Sequence, residues 1–147
     1  MTEAALCKIF TNTYEIGELH MNYFPSNDGV LGAENNPPIE KIYDLLYQLG
    51  IIANCSGFFY TTFSVWLAVR EPERLNLVTK WLYLDVARHY GSSVDAVGKG
   101  ISRVITEVWD NKPELLSMWS KYALTEKPKP AEFIAILAYK IIDDQSR

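Results

Sequence analysis

An all-α fold with a central helix-turn-helix, preceded by a short arm, is what this sequence predicts. Three observations carry that expectation. Apolar residues recur at helical spacing over most of the chain after residue 38. Glycine and proline fall at the ends of those apolar runs and not inside them, with Gly98 and Gly100 as the exceptions. Two of the runs are joined by the three residues Gly91, Ser92 and Ser93, the short glycine-containing connection that a helix-turn-helix uses.

The chain has 147 residues, 48% of them apolar, which suffices for one domain with a core. The stretch from Ser26 to Pro38, "SNDGVLGAENNPP", is rich in Asn, Gly and Pro and divides the chain into an arm and linker, 1–38, and a helical domain, 39–147. In the arm, Tyr14, Ile16 and Glu18 share one parity and Leu19, Met21 and Tyr23 the other, so a small β element is one expectation there and an irregular arm the other. Six helices are expected beyond it. The first runs from Ile39 to Leu49 and stops at Gly50; the second, Gly57 to Arg70, stops before Pro72. The third, Leu75 to Tyr90, places Leu75, Val78, Leu82 and Val86 on one side. The fourth is Ser92 to Trp109, capped by Ser92, with Asp95 three residues on as a capping-box partner. Pro113 opens the fifth, Glu114 to Tyr122, and the sixth, Ala131 to Ile142, follows the basic, proline-rich loop "TEKPKP".

Charge and composition narrow the function. Residues 1–38 carry one basic side chain, Lys8, against five acidic ones; residues 39–147 carry thirteen of each. A neutral body has no strong bulk attraction for phosphate, so any nucleic-acid binding must come from local placement of charge. The N-terminus lacks a signal-peptide pattern, and the run from Gly57 to Val69 is too short to span a bilayer, so no membrane is expected as a partner and the cytoplasm is the expected location. Cys7 and Cys55 are far apart, and His20 and His89 are isolated. Free thiols and surface or half-buried histidines are therefore expected, with no metal, no cofactor and no catalytic residue. No nucleophile–base pair or phosphate loop points to an enzyme.

The words of the helical domain, taken in order, resemble the C-terminal effector domain of the sporulation master response regulator, stage zero sporulation protein A. "LGIIANCSGFFY" resembles the approach to its second helix through Leu49, Gly50, Ile51, Ala53, Gly57 and Tyr60. "VTKWLYLDVA" resembles its scaffold helix through Val78, Thr79, Lys80, Leu82, Tyr83 and Ala87. Val97, Ile101, Ile105 and Trp109 match the buried stripe of its recognition helix, and "KPKPAEFIAILAYK" resembles its last helix. The resemblance implies six helices, sequence-specific binding of double-stranded DNA, transcription regulation in a spore-forming Gram-positive bacterium, and pairing of domains on tandem sites. A homodimer, or pairing with a related regulator, is therefore expected. The family's full regulator also has a receiver domain. Only 38 residues precede the domain here, so the expectation is a stand-alone regulator without one.

The recognition helix departs from the family. Where the family opens as Ser-Arg-Val-Glu-Arg-Ala-Ile-Arg, this chain has Asp95, Ala96, Val97, Gly98, Lys99, Gly100, Ile101 and Ser102. Asp95, Ala96, Lys99, Ser102 and Arg103 stand at the expected base-facing positions. Ser92, Ser93, Lys80, Lys127 and Lys129 are the candidates for phosphate contact. Ala96 and Gly98 lack the reach to read a base, and Lys99 keeps the charge without the arginine fork. Altered or weakened reading is the expectation. Each of these charges also has a structural explanation. Asp95, Lys99, Arg103 and Glu107 follow one another at i, i+4 as a salt-bridged stripe, Lys127 and Lys129 lie in a loop, and Lys80 has Glu73 and Asp85 nearby. Gly98 and Gly100 imply a pliable helix, or something close against its backbone: a major-groove floor or a partner helix. The alternative function is a protein-interaction or dimerisation module that kept the fold and lost the DNA, using exposed aromatics such as Trp66, Trp81 or Trp119.

Overall fold

A computed structural model describes residues 39–77 and 81–145. The expectations for the arm, 1–38, and for Lys80 lie outside the described residues. Among the described residues there are six α-helices: α1 (Ile39–Gln48), α2 (Ser56–Arg70), α3 (Tyr83–Tyr90), α4 (Val94–Asn111), α5 (Pro113–Trp119) and α6 (Pro130–Gln145). A 3-10 segment, Pro72–Leu77, links α2 towards α3, and no strand occurs among the described residues. The all-α, six-helix expectation holds.

Helix α2 is the axis of the core. Every residue from Gly57 to Val69 is buried, because this helix is apolar all round and has no face to give to water. Its most extensive contacts are with α4 and α6. The hydroxyls it carries inward turn back on its own backbone: Thr62 Oγ1 donates to the Phe58 carbonyl at 2.8 Å, and Ser64 Oγ to that of Tyr60 at 2.7 Å. The other helices present one stripe each. Ile42, Leu45 and Leu46 of α1, Val97, Ile101, Val104, Ile105 and Val108 of α4, and Phe133, Ile134 and Leu137 of α6 meet α2 in a single cluster.

Three expectations about element boundaries are corrected. The third helix does not begin at Leu75: residues 72–77 wind as a 3-10 turn, Trp81 and Leu82 form a π-type turn, and the α-helix starts at Tyr83. Arg74 holds this connection by pairing with Glu71 at 2.7 Å and with Asp85 of α3, so Asp85 is engaged by Arg74. The fifth helix opens at Pro113 as expected but ends at Trp119, because the Ser120 hydroxyl donates to the Tyr122 carbonyl and accepts from its N–H, closing a turn. The cap of α4 is Ser93 and not Ser92. Its Oγ accepts the Ala96 N–H at 3.1 Å, which puts Ala96 at the third helical position and leaves no capping box.

Trp66 is also corrected: it is 3% exposed, stacked on Phe63, with the Arg70 guanidinium 4.5 Å from its ring centre. Trp119 is half-buried beneath Lys140, and Trp81 is exposed. His89 is half-buried against Phe63, and Cys55 is a half-buried free thiol.

Candidate nucleic-acid interface

The turn between α3 and α4 is built by backbone geometry first. Gly91 adopts a left-handed conformation, φ 61° and ψ 39°, which a residue with a Cβ enters only at a cost. That conformation lets the Ser92 N–H reach the Ala87 carbonyl at 2.8 Å and the Gly91 N–H reach that of Arg88 at 3.5 Å, the paired bonds of a Schellman cap. Ser93 then starts α4. Ser92, between the two, is pinned from beneath: the Tyr60 hydroxyl lies 3.1 Å from its Oγ and donates to it. One buried aromatic of α2 thus fixes the helix-turn-helix corner to the core.

Helix α4 has a fully packed inner side and an open outer side. Inward, Gly100 is buried where α4 crosses α2. A Cβ on Gly100 would meet the Tyr60 ring at 3.0 Å and Gly57 Cα at 3.3 Å. The close approach implied by this glycine is therefore made by a helix of the same chain. Outward lie Asp95, Lys99, Ser102 and Arg103, all exposed. Ala96 is half-buried at the helix start, where its N–H serves the cap.

The charges of the outer face are partly paired. Lys99 Nζ sits 3.0 Å from the Asp95 carboxylate, with side chains 68% and 77% exposed. A pair this exposed contributes a few tenths of a kcal/mol at most, so it restrains Lys99 without committing it. Lys127 reaches across from the loop before α6 and donates to Thr106 Oγ1 of α4 at 3.1 Å. Lys129 is exposed one residue before Pro130, the first residue of α6. Lys99, Arg103 and Lys127 thus belong to one surface, and Lys129 stands at its edge.

Two open grooves run along this surface. One, of about 640 Å³, lies between the Ile51–Cys55 loop and the Ser102, Arg103 and Thr106 side of α4. The other, of about 870 Å³, has Val94, Gly98 and Ser102 along its length, with Tyr83 and Pro130 beside them. Tyr83 is 5% exposed, its hydroxyl has no hydrogen-bond partner, and burial pushes its ionisation up to about 12. Ser102 and Arg103 border both grooves.

Some of these participants are not singled out as contacts by the sequence. Tyr60, Tyr83 and Thr106 were not among the candidate contacts, since each acts through a neighbour distant in sequence. Tyr60 and Tyr83 are nonetheless in the stretches that carry the family resemblance.

The family model for the sporulation initiation factor Spo0A, C terminal, matches residues 42–141. The chain belongs to that family. The match begins within α1 and ends within α6. The Spo0A C-terminal family is one of DNA-binding effector domains in the transcription regulation of sporulation; it is a regulatory family and not an enzymatic one. Among the described residues no helix is long and apolar enough to cross a membrane.

Proposed function

We propose that this chain is a DNA-binding transcriptional regulator that lays α4 in the major groove and reads sequence with a reduced set of side chains. The observation that carries the reading is the one-sided exposure of α4. Lys99, Ser102 and Arg103 stand free of the core on a helix whose opposite face is fully packed, and Lys127 is held beside them by Thr106. Lys127, Lys129 and the Ser93 end of α4 are placed to meet backbone phosphates; Lys99, Ser102 and Arg103 face base edges. Binding in pairs on tandem sites belongs to the same proposal.

The reduced reading follows from what the outer face lacks. Arg103 is its one guanidinium, and a bidentate arginine–guanine pair discriminates by roughly 1–3 kcal/mol. Family positions that carry reaching side chains are here Ala96, Gly98 and Ser102. Against a typical margin of about 4–10 kcal/mol between specific and random DNA, the loss of two or three readers removes much of the preference for the family's usual site.

Titration of the full chain against the family's site and against random-sequence duplex, at low and moderate salt, tests this. Salt-dependent binding that is lost in a Lys99→Ala plus Arg103→Ala variant is the expected result, with little preference for the family's site. No duplex binding at low salt sinks the proposal and leaves the protein-interaction reading, for which Trp81 and Met118 are the exposed apolar side chains to test first.

A further inference from the structure

The groove over Gly98 has the chemistry of a methyl receptor. Val94, Gly98 and Ser102 succeed one another at i, i+4 along the outer side of α4, all short or apolar, while Lys99 and Arg103 rise beside them. Gly98 leaves a notch. A Cβ built there has Tyr83 Cε2 as its nearest neighbour, at 3.4 Å, so the ring edge lies directly under the missing side chain. Pro130 supplies a further apolar wall without an N–H. The Tyr83 hydroxyl is buried without a partner, so this ring is held by packing alone. Asp95, Lys99 and Arg103 line the same groove beside the notch, and the Tyr83 hydroxyl is itself buried, so the notch is floored by the ring.

In the major groove, the only apolar group that an unmodified base pair presents is the C5-methyl of thymine. A side-chain-free position also lets the helix backbone come closer to the base edges than a longer residue would. We infer that the notch over Gly98, floored by Tyr83 and walled by Val94 and Pro130, seats a thymine methyl, and that α4 selects its sites by this methyl as well as by the donors of Lys99 and Arg103. The inference rests on the duplex-binding reading above and adds which base the notch takes.

The test begins with the full chain and a pool of random-sequence duplexes, from which its preferred duplex is selected. Each thymine of that duplex is then replaced in turn by uracil, which deletes the methyl and nothing else, and Kd is read at fixed salt. At one thymine the replacement weakens binding roughly fourfold, the change in Kd that burial of one methyl-sized group carries. That penalty shrinks in Gly98→Gln, which fills the notch, and in Gly98→Ala, whose Cβ fits without moving a neighbour. The inference is overturned if uracil is tolerated at every position while the duplex still binds, or if the penalty is the same in both Gly98 variants as in the parent; the DNA-binding proposal survives either result. If no duplex is bound, the DNA-binding proposal falls and this inference with it.

Discussion

A Cβ placed on Gly57 of α2 would lie 2.7 Å from the carbonyl oxygen of Gly100 on α4. The two helices therefore touch backbone to backbone, and the obstacle is an atom that cannot rotate away. We expect Gly57→Ala to lower stability by about 1–3 kcal/mol, the usual cost of forcing volume into a packed site. Gly98→Ala should act in the opposite direction. Its Cβ meets only the Tyr83 ring, at an ordinary contact distance of 3.4 Å, and alanine gains up to about 1 kcal/mol over glycine in a helix. Chemical denaturation of both variants checks the pair. A Gly57→Ala variant as stable as the parent would contradict the close crossing.

Among the described residues, the buried hydroxyls of Thr61 and Tyr83 have no hydrogen-bond partner. Each has given up water without replacement, so removing it relieves a desolvation cost. Thr61→Val and Tyr83→Phe are expected to leave stability unchanged or to raise it. Tyr83 adds a pH signature. Burial raises its folded-state ionisation from 10.0 to about 12, so its contribution is present below pH 10 and is lost as pH rises to 12, where the unfolded chain ionises first. Denaturation profiles of Tyr83→Phe should lose part of that alkaline slope.

Asp95 has two effects of opposite consequence. Its charge sits in the first turn of α4, where it complements the helix dipole, and it holds Lys99 at 3.0 Å. Asp95→Asn is expected to cost less than about 1 kcal/mol of stability. It should also tighten duplex binding and steepen its salt dependence by about one counterion, because Lys99 is released and a repelling carboxylate is gone. Titrations over a salt series read both changes.

Lys127 and Thr106 separate charge from placement. Lys127→Ala removes the cation and should reduce the salt slope of duplex binding by about one, weakening all sequences alike. Thr106→Val keeps the cation and removes its 3.1 Å anchor, so the salt slope should persist while affinity falls less. An unchanged salt slope in Lys127→Ala would place Lys127 away from phosphate.

The helices of this fold were legible where an apolar period met a glycine or proline stop. The first two helices and the last were placed within a few residues for that reason. The start of the third is not legible, because Leu75 keeps the helical period inside residues 72–77, which Arg74 ties into a 3-10 turn by pairs to Glu71 and Asp85 that no periodicity reveals. The cap is not legible because Ser92 and Ser93 are equivalent in sequence; the backbone of the Gly91 turn takes the Ser92 N–H to the Ala87 carbonyl and leaves Ser93 to start α4, while the Ser92 hydroxyl accepts from Tyr60. Trp66 was misplaced because α2 is apolar all round, which leaves no polar side from which to read an exposed face. The outer face of α4 was legible as the complement of its buried stripe. The reason for Gly98 and Gly100 was not, since a glycine marks a close neighbour without naming it.

The crossing of α2 and α4 has a consequence for how such a protein diversifies. Its inner positions are fixed by backbone contact, whereas Asp95, Lys99, Ser102 and Arg103 are exposed and contribute to the fold no more than the weak Asp95–Lys99 pair and the charge of Asp95 at the helix start. The fold thus treats its outer letters as exchangeable type set in a rigid frame. A library randomised at those four positions should yield mostly folded members, and new duplex preferences can be drawn from it without rebuilding the domain.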